Sequence, residues 1–345
     1  MAKTKIVIAG AGLIGRLHAS LAARNTDCVL AAIVDPSPLA AEFAKELKVP
    51  HYTVLEQALE AERPDGVVIA TPNRLHVEQA LACIARRIPV LLEKPIAETV
   101  DDAMRLVDAA ERAHVSLLIG HQRRHSMVLA QAQTILRSGR LGRITAVMAS
   151  ALLRKPARYF QDAPWRKAKG GGPILINMIH DIDNLRALCG EIVEVQAFAS
   201  NTARGFEVED TAAISLRFAS GALGTYLLSD IAAAPRSWDQ TAGENNPFHY
   251  YPDGECYLIA GDRGSLALPG LRISEYPGMP DWSQAMTFSR EPAEKMDAHE
   301  RQFAHFLDVI AGRAQPLVSG RDATRTLAVA MAIAEAAKTG LPVNC

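Results

Sequence analysis

The chain has 345 residues, a formal net charge of −1, 49% hydrophobic residues and 22% charged residues. That length exceeds what one core usually holds, so two domains are expected, and the near-neutral balance offers no basic stripe for nucleic acid and no polybasic segment for a membrane surface. No apolar run approaches the ~20 residues of a membrane-spanning helix, and the charged start MAKTKIVIAGAG lacks the apolar core of a signal peptide. Five scattered cysteines (Cys28, Cys83, Cys189, Cys256, Cys345) with no CxxC predict reduced thiols in a cytoplasmic protein, with no metal site.

The first third alternates strand and helix. Strands are predicted at 5–10, 28–35, 65–71, 89–94 and 115–121. Helices are predicted at 13–25, 37–47 (Ser37 as N-cap, Pro38 following), 73–87 and 100–114. Strands apolar on both faces, separated by helices, predict a parallel sheet covered on both sides. After residue 122 the pattern changes. A helix at 128–138 and a long strand at 143–153 are followed by a helix at 174–189. A run of strands joined by tight turns then reads as a largely antiparallel sheet. Two helices close the chain, near 297–312 and 321–338. The expected fold is α/β: a Rossmann domain over 1–121 and a second α/β domain over 122–345. The stretch 231–254, rich in Ala, Pro, Asn and aromatics, reads as a long surface excursion, either functional or an oligomer contact.

GAGLIG at 10–15 fits G-x-G-x-x-G and sits between a strand and a helix, where the mechanism requires it. Gly10 permits the tight turn, Gly12 lets the backbone approach a pyrophosphate, and Gly15 lets the helix pack against the strand. Leu13 and Ile14 open the helix, whose N–H groups face the phosphates. Asp35 lies at the end of the second strand. There a carboxylate accepts from the ribose hydroxyls and repels a 2′-phosphate, so NAD is favoured over NADP. Arg24, the nearest arginine in sequence, is not adjacent to Asp35. Thr71 and Asn73 lie at another strand's carboxyl end. Asn73 either contacts cofactor or caps the following helix, and His76 either contacts cofactor or is a capped surface histidine.

LLEKP at 91–95 ends a buried strand on Glu93 and Lys94, and Pro95 restricts Lys94 to extended geometry. Beside a cationic nicotinamide an ammonium is easier to deprotonate, which suits Lys94 to bind a substrate oxygen or take its proton, with Glu93 holding it in place. A second polar cluster is GGGPILINMIHDIDN at 170–184. On a regular helix Asn177, His180, Asp181 and Asn184 share one face, opposite Leu175, Met178, Ile179, Ile182, Leu185 and Leu188. His180 suits proton transfer, or is a histidine satisfied at a domain interface. Gln122 is placed to reach the nicotinamide ribose, and Arg123, Arg124, Arg154 and Tyr159 to line a substrate pocket. His125 reads as a capping residue. Trp165 is either pocket or core.

Together GAGLIG, Asp35, LLEKP and GGG…IHDID resemble the Gfo/Idh/MocA oxidoreductases, the family of glucose-fructose oxidoreductase and inositol 2-dehydrogenase, over nearly the whole chain. The resemblance implies an N-terminal Rossmann domain and a C-terminal domain with a large open-faced sheet that forms homodimers or homotetramers. It implies hydride transfer between NAD(P) and a hydroxyl or carbonyl of a small-molecule sugar or cyclitol. The family's lysine falls on Lys94 and its histidine on His180. Trp165 and Arg166 resemble its aromatic–basic pair near the nicotinamide. The aspartate that inositol dehydrogenase-like members carry four residues before the histidine is Ile176 here, so Asn177 takes at most an orienting part. The expected catalytic set is Lys94, His180 and Asn177. Two other readings stand beside this one. One is a dehydrogenase of a cyclic dihydrodiol or hydroxyacid, whose carboxylate Arg123, Arg124, Arg154 and Arg166 would suit. The other is a non-catalytic regulator that binds NAD and a sugar.

Overall fold

Short β-branched runs in the first third fold as the strands of one sheet. In the computed structural model, which describes residues 3–244, 247–294 and 296–345, this sheet is built from β1 (Thr4–Ala9), β2 (Cys28–Val34), β3 (His51–Tyr52), β4 (Gly66–Ile69), β5 (Val90–Leu92) and β6 (Leu117–Ile119). The order is β3-β2-β1-β4-β5-β6 and every pairing is parallel. The helices between them are α1 (Leu13–Arg24), α2 (Pro38–Glu46), α3 (Leu55–Glu62), α4 (His76–Ala85) and α5 (Val100–Ala113). Ile6, Val7 and Ile8 are all fully enclosed, because a parallel sheet is covered on both faces. The strand order reverses between β1 and β4. That reversal leaves a crevice outside their carboxyl ends, the usual ligand position in such sheets.

This sheet belongs to the first of two units, Met1–Gln122 with His299–Leu327; the second is Arg123–Ala298 with Ala328–Cys345. The first break falls between Gln122 and Arg123, and the sequence reading assigns all of 122–345 to the second domain. His299–Leu327 instead returns to the first unit, where Phe303, Phe306 and Leu307 join Ile8, Leu91 and Leu118 in one core. Gly66 makes room for this return, since a Cβ there would lie 2.4 Å from Ile310 Cδ1.

The second unit carries α6 (Met127–Arg137), β7 (Ile144–Leu152), α7 (Ala157–Gln161), α8 (Ile179–Cys189), β8 (Ile192–Ser200), β9 (Thr211–Phe218), β10 (Leu223–Ser229), α9 (Trp238–Thr241), β11 (Tyr257–Gly261), β12 (Gly264–Leu268), β13 (Arg272–Glu275), β14 (Thr287–Arg290) and β15 (Val343–Asn344). Helices α10 (Ala298–Ile310) and α11 (Gly320–Thr339) close the chain. The nine-stranded sheet runs β14-β13-β12-β11-β7-β10-β9-β8-β15, antiparallel except for β7 with β10. Its strands alternate. Ile214, Leu216, Tyr226 and Leu228 point into the core with Met178, Ile182 and Leu185 of the helical layer. The other face is exposed yet apolar, with Met148, Phe198, Leu223 and Leu227 between 44% and 73% accessible.

Two local expectations change. The segment 231–254 is not simply a surface excursion. Leu152 and Arg236 form a β-bridge, Trp238 is buried against Tyr257 at 5.6 Å, and its Nε1 donates to Glu244. Residues 245 and 246 of that segment lie outside the described residues. The predicted helix 174–189 is two pieces, a π-helical turn over Ile174–Met178 followed by α8. Among the described residues no helix is long and apolar enough to cross a membrane, and no group of His, Cys, Asp and Glu is placed to hold a metal ion.

Candidate active site

The glycine loop follows β1 and opens α1, and each glycine has its own reason. A Cβ on Gly10 would lie 2.4 Å from the Ala70 carbonyl oxygen, and φ there is +94°. A Cβ on Gly15 would lie 1.9 Å from the Gly10 oxygen, so only glycine lets α1 sit this close to the turn. Gly12 is different: it is the N-cap of α1, and a Cβ there meets nothing within 4 Å. The space beside Gly12 at the start of α1 is thus open, as close approach of a pyrophosphate to a helix N-terminus requires.

Asp35 reaches back to the same loop. Its Oδ2 accepts from Ala11 N at 2.8 Å and its Oδ1 from Ser37 N at 2.8 Å. Two lone-pair directions remain on the carboxylate for ribose hydroxyls. Ser37 therefore serves Asp35 through its backbone, and no side-chain cap forms on α2. Arg24 pairs with Glu300 at 2.6 Å. The guanidinium on the Asp35 side is that of Arg16, which donates to the Ala11 carbonyl at 3.0 Å and stacks 4.3 Å over Phe43.

Two other residues expected at the cofactor take the following places in the structure. Asn73 makes no side-chain cap; it begins a 3-10 turn, Asn73–Leu75, ahead of α4. His76 is not a surface residue. It is 1% exposed, and its Nδ1 and Nε2 lie 2.8 and 2.9 Å from the carbonyl oxygens of Pro95 and Thr71. Both ring nitrogens face carbonyls, so His76 braces the Thr71 turn to the Lys94 turn. Burial holds its pKa below the usual histidine value, although both carbonyls favour the charged ring. Thr71 Oγ1 donates to Gln79 at 2.7 Å.

Strand β5 ends at Leu92, and Glu93 and Lys94 follow it; the Lys94–Pro95 bond is cis. Glu93 faces a partner the sequence did not suggest. Its Oε1 lies 2.9 Å from Nε2 of His18 on α1, with both side chains buried. Burial alone would raise this carboxyl's pKa; the His18 hydrogen bond and charge, with Lys94 and His299, outweigh it and hold it below the usual range. Lys94 is half-buried, as is Gln122, which opens a 3-10 turn Gln122–His125.

In the second unit the polar residues of 177–184 turn inward. Asp181, Asp183 and Asn184 are at most 2% exposed. Asp181 accepts from Arg123 at 3.0 Å and from the hydroxyl of Tyr257, Asp183 from Arg124 at 3.1 Å, and Asn184 donates to Tyr257 at 3.3 Å. Arg123 also donates to Asp239 at 3.1 Å. One guanidinium thus serves two carboxylates. Burial lowers the Arg123 pKa, but Asp239 and Asp181 outweigh it and keep the group charged. Burial pushes Asp181 up despite Arg123. The other expected cations are committed too. Arg166 donates to the Tyr159 carbonyl at 2.7 Å and stacks 3.8 Å over that ring, while exposed Arg154 lies 3.4 Å from the Ile231 carbonyl. Trp165 is 54% exposed, so it is not a core residue. His180 is half-buried at the start of α8.

A cavity of about 30 Å³ is lined by Arg123, Lys155, Asn177, Asp181, Asp230, Trp238 and Asp239, among others. The sequence reading missed Lys155, Asp230 and the Arg204 that pairs with Asp230 at 2.6 Å. A signal for Lys155 was present: like Lys94 it precedes a proline, which favours extended geometry.

A parallel sheet with this loop and acid defines a dinucleotide-binding fold. Comparison with known proteins carries the assignment further. Residues 4–121 match the oxidoreductase family with an NAD-binding Rossmann fold, and residues 129–267 match the GFO/IDH/MocA C-terminal domain. The chain belongs to the GFO/IDH/MocA oxidoreductase family. It is 30% identical to 1,5-anhydro-D-fructose reductase of Ensifer adhaerens over 80% of this chain and 78% of that one. It is 26% identical to inositol 2-dehydrogenase of Rhizobium meliloti over 93% of both. The WlbA dehydrogenase of Bordetella pertussis, solved with NADH and UDP-GlcNAcA, superposes with a TM-score of 0.81 at 25% identity, covering 100% of this chain and 99% of that one.

Proposed function

We propose that this protein is an NAD-dependent dehydrogenase acting on a secondary hydroxyl, or the matching carbonyl, of a neutral sugar, cyclitol or similar polyhydroxy ring. The observation that carries the cofactor part is the open space beside Gly12 at the start of α1 with Asp35 bonded to the same loop. The helix N-terminus holds the pyrophosphate, Asp35 the ribose hydroxyls, and Thr71, Asn73, Gln122 and Lys94 belong to the nicotinamide half. When bound, NAD supplies the hydride acceptor. Lys94 anchors the substrate oxygen electrostatically, and His180 takes or returns the hydroxyl proton. Asn177 orients substrate.

The neutrality of the substrate is supported by the charge pairing in the second unit. Arg123, Lys155 and Arg204 balance Asp181, Asp230 and Asp239 around the cavity, and Arg124 is paired with Asp183. Of the four arginines counted in favour of a carboxylate substrate, Arg123 and Arg124 are paired with aspartates, while Arg166 and Arg154 bond only to carbonyls. The relatives named for anhydrofructose and inositol agree with a polyhydroxy ring. The exposed apolar face of the nine-stranded sheet supports a homodimer or homotetramer formed through that sheet.

The test compares Lys94→Ala and His180→Ala for turnover and for NAD binding. Each is expected to lose at least about 100-fold in kcat, as removal of a proton-transfer or anchoring group does, with NAD affinity little changed in His180→Ala. Near-normal turnover in His180→Ala would reverse the assignment of acid–base roles.

A further inference from the structure

Lys155 follows β7 in the second unit and is 9% exposed. Its Nζ lies 2.6 Å from Asn177 Oδ1, 3.6 Å from Asp230 Oδ2, and 4.8 Å from the centre of the Tyr159 ring. The nearby charges include Asp230, Glu209, Arg166 and Arg204. Burial takes its pKa from 10.5 to about 8; Asp230 opposes this, and Arg166 and Arg204 reinforce it.

An ammonium is a donor only, so the Asn177 end that faces it must be the oxygen. The amide is thereby set in one orientation, with its N–H₂ as the end left for an incoming group. Asn177 lines the cavity whose carboxylates are already engaged: Asp181 and Asp239 by Arg123, Asp230 by Arg204 and Lys155. At about 30 Å³ the cavity takes a group the size of one water.

We propose that Lys155 is a positioning residue that fixes the Asn177 amide as a hydrogen-bond donor, so that this cavity takes a hydroxyl or carbonyl oxygen of the substrate and refuses an ammonium. The proposal rests on the dehydrogenase reading and names what that site selects. An ammonium would meet N–H groups at Asn177 and like charge at Lys155 and Arg123. An oxygen acceptor completes the amide's bonding.

The probes are myo-inositol and D-glucose, each assayed beside its monoamino-deoxy analogues with NAD and with NADP. The wild type is expected to prefer the neutral form by about 100-fold or more in kcat/KM, the scale at which a hydrogen-bonding site rejects a mismatched partner. Asn177→Asp replaces the donor by a carboxylate that still pairs with Lys155. It is expected to raise KM for the neutral probe and to cut the preference at least tenfold. A merely structural role would be preserved or strengthened by that aspartate. Lys155→Met is expected to raise KM several-fold with kcat little changed, and Lys155→Arg to restore most of the loss. An unchanged preference in Asn177→Asp, or an unchanged KM in a folded Lys155→Met that binds NAD normally, overturns the proposal alone. A wild type that reduces neither cofactor with any probe overturns the dehydrogenase reading, and this proposal with it.

Discussion

His18 and Glu93 form a buried pair, Nε2 to Oε1 at 2.9 Å, with His18 fully enclosed and Glu93 8% exposed. The pair ties α1, which carries the glycine loop, to the turn that carries Lys94. Replacing His18 by Leu leaves the carboxylate buried without that donor, at a cost of about 1–3 kcal/mol at neutral pH. The sign with pH follows from the Glu93 pKa lying below its ordinary value of 4.5. Stability from the pair is fully present above that value and is lost as pH falls through and below it. Denaturant unfolding of the wild type and His18→Leu is expected to differ clearly at pH 7 and to converge in acid. A difference that does not change with pH would contradict this assignment.

The three loop glycines separate folding from binding. Gly15→Ala drives a Cβ to 1.9 Å from the Gly10 oxygen, whereas Gly12→Ala meets open space. Gly15→Ala is expected to cost about 3 kcal/mol or more, as overpacking of a close contact does. Gly12→Ala is expected to keep its melting temperature and to weaken NAD binding about tenfold, or ~1.4 kcal/mol. Calorimetry and cofactor titration distinguish the two.

The glycine loop and Asp35 were legible in the sequence because they are local: strand, turn, helix and acid recur at fixed spacing. What escaped was non-local. His18 finds Glu93 across 75 residues and Arg123 finds Asp239 across 116. Nothing in the helical period of 299–327 says that Phe303 and Phe306 pack in the first core rather than the second. The π-helical turn at Ile174–Met178 inserts a residue into a pattern read at 3.6 per turn. The polar face of 177–184 was visible, but not that Arg123 pairs with its Asp181 or Lys155 with its Asn177.

On the proposed reading, cofactor choice turns on Asp35, with Arg16 bonded to the same loop. Both bond to Ala11, Asp35 to its N–H and Arg16 to its carbonyl. Asp35→Ser removes the charge that repels a 2′-phosphate while Arg16 remains to receive it. The ratio of kcat/KM for NAD over NADP is expected to fall at least tenfold, about 1.4 kcal/mol. Adding Arg16→Met is expected to return most of that change. A ratio unmoved by Asp35→Ser would remove this residue from cofactor selection.

Lys155 costs the fold stability in the service of the site. With its pKa held from 10.5 down to about 8, the buried ammonium destabilises the folded state below pH 8 by about 3 kcal/mol. Between pH 8 and 10.5 the folded protein releases this proton before the unfolded chain does, so the penalty is relieved. Lys155→Met, whose neighbour Asp230 keeps Arg204, is therefore expected to be as stable as the wild type or more so at pH 7. The wild type should gain on it as pH rises through that window. Equal pH dependence of the two proteins would show that Lys155 is not buried as a base.

The most direct test of the central claim is reduction of NAD by the purified wild type against a panel of inositols, aldoses, hydroxyacids and aromatic dihydrodiols, with Lys94→Ala as control. The account predicts turnover on a neutral polyhydroxy ring, lost in the Lys94 variant. Turnover confined to carboxylate substrates, or tight NAD binding with no reduction on any member of the panel, would contradict it. The second result would point to a regulator that binds NAD and a sugar.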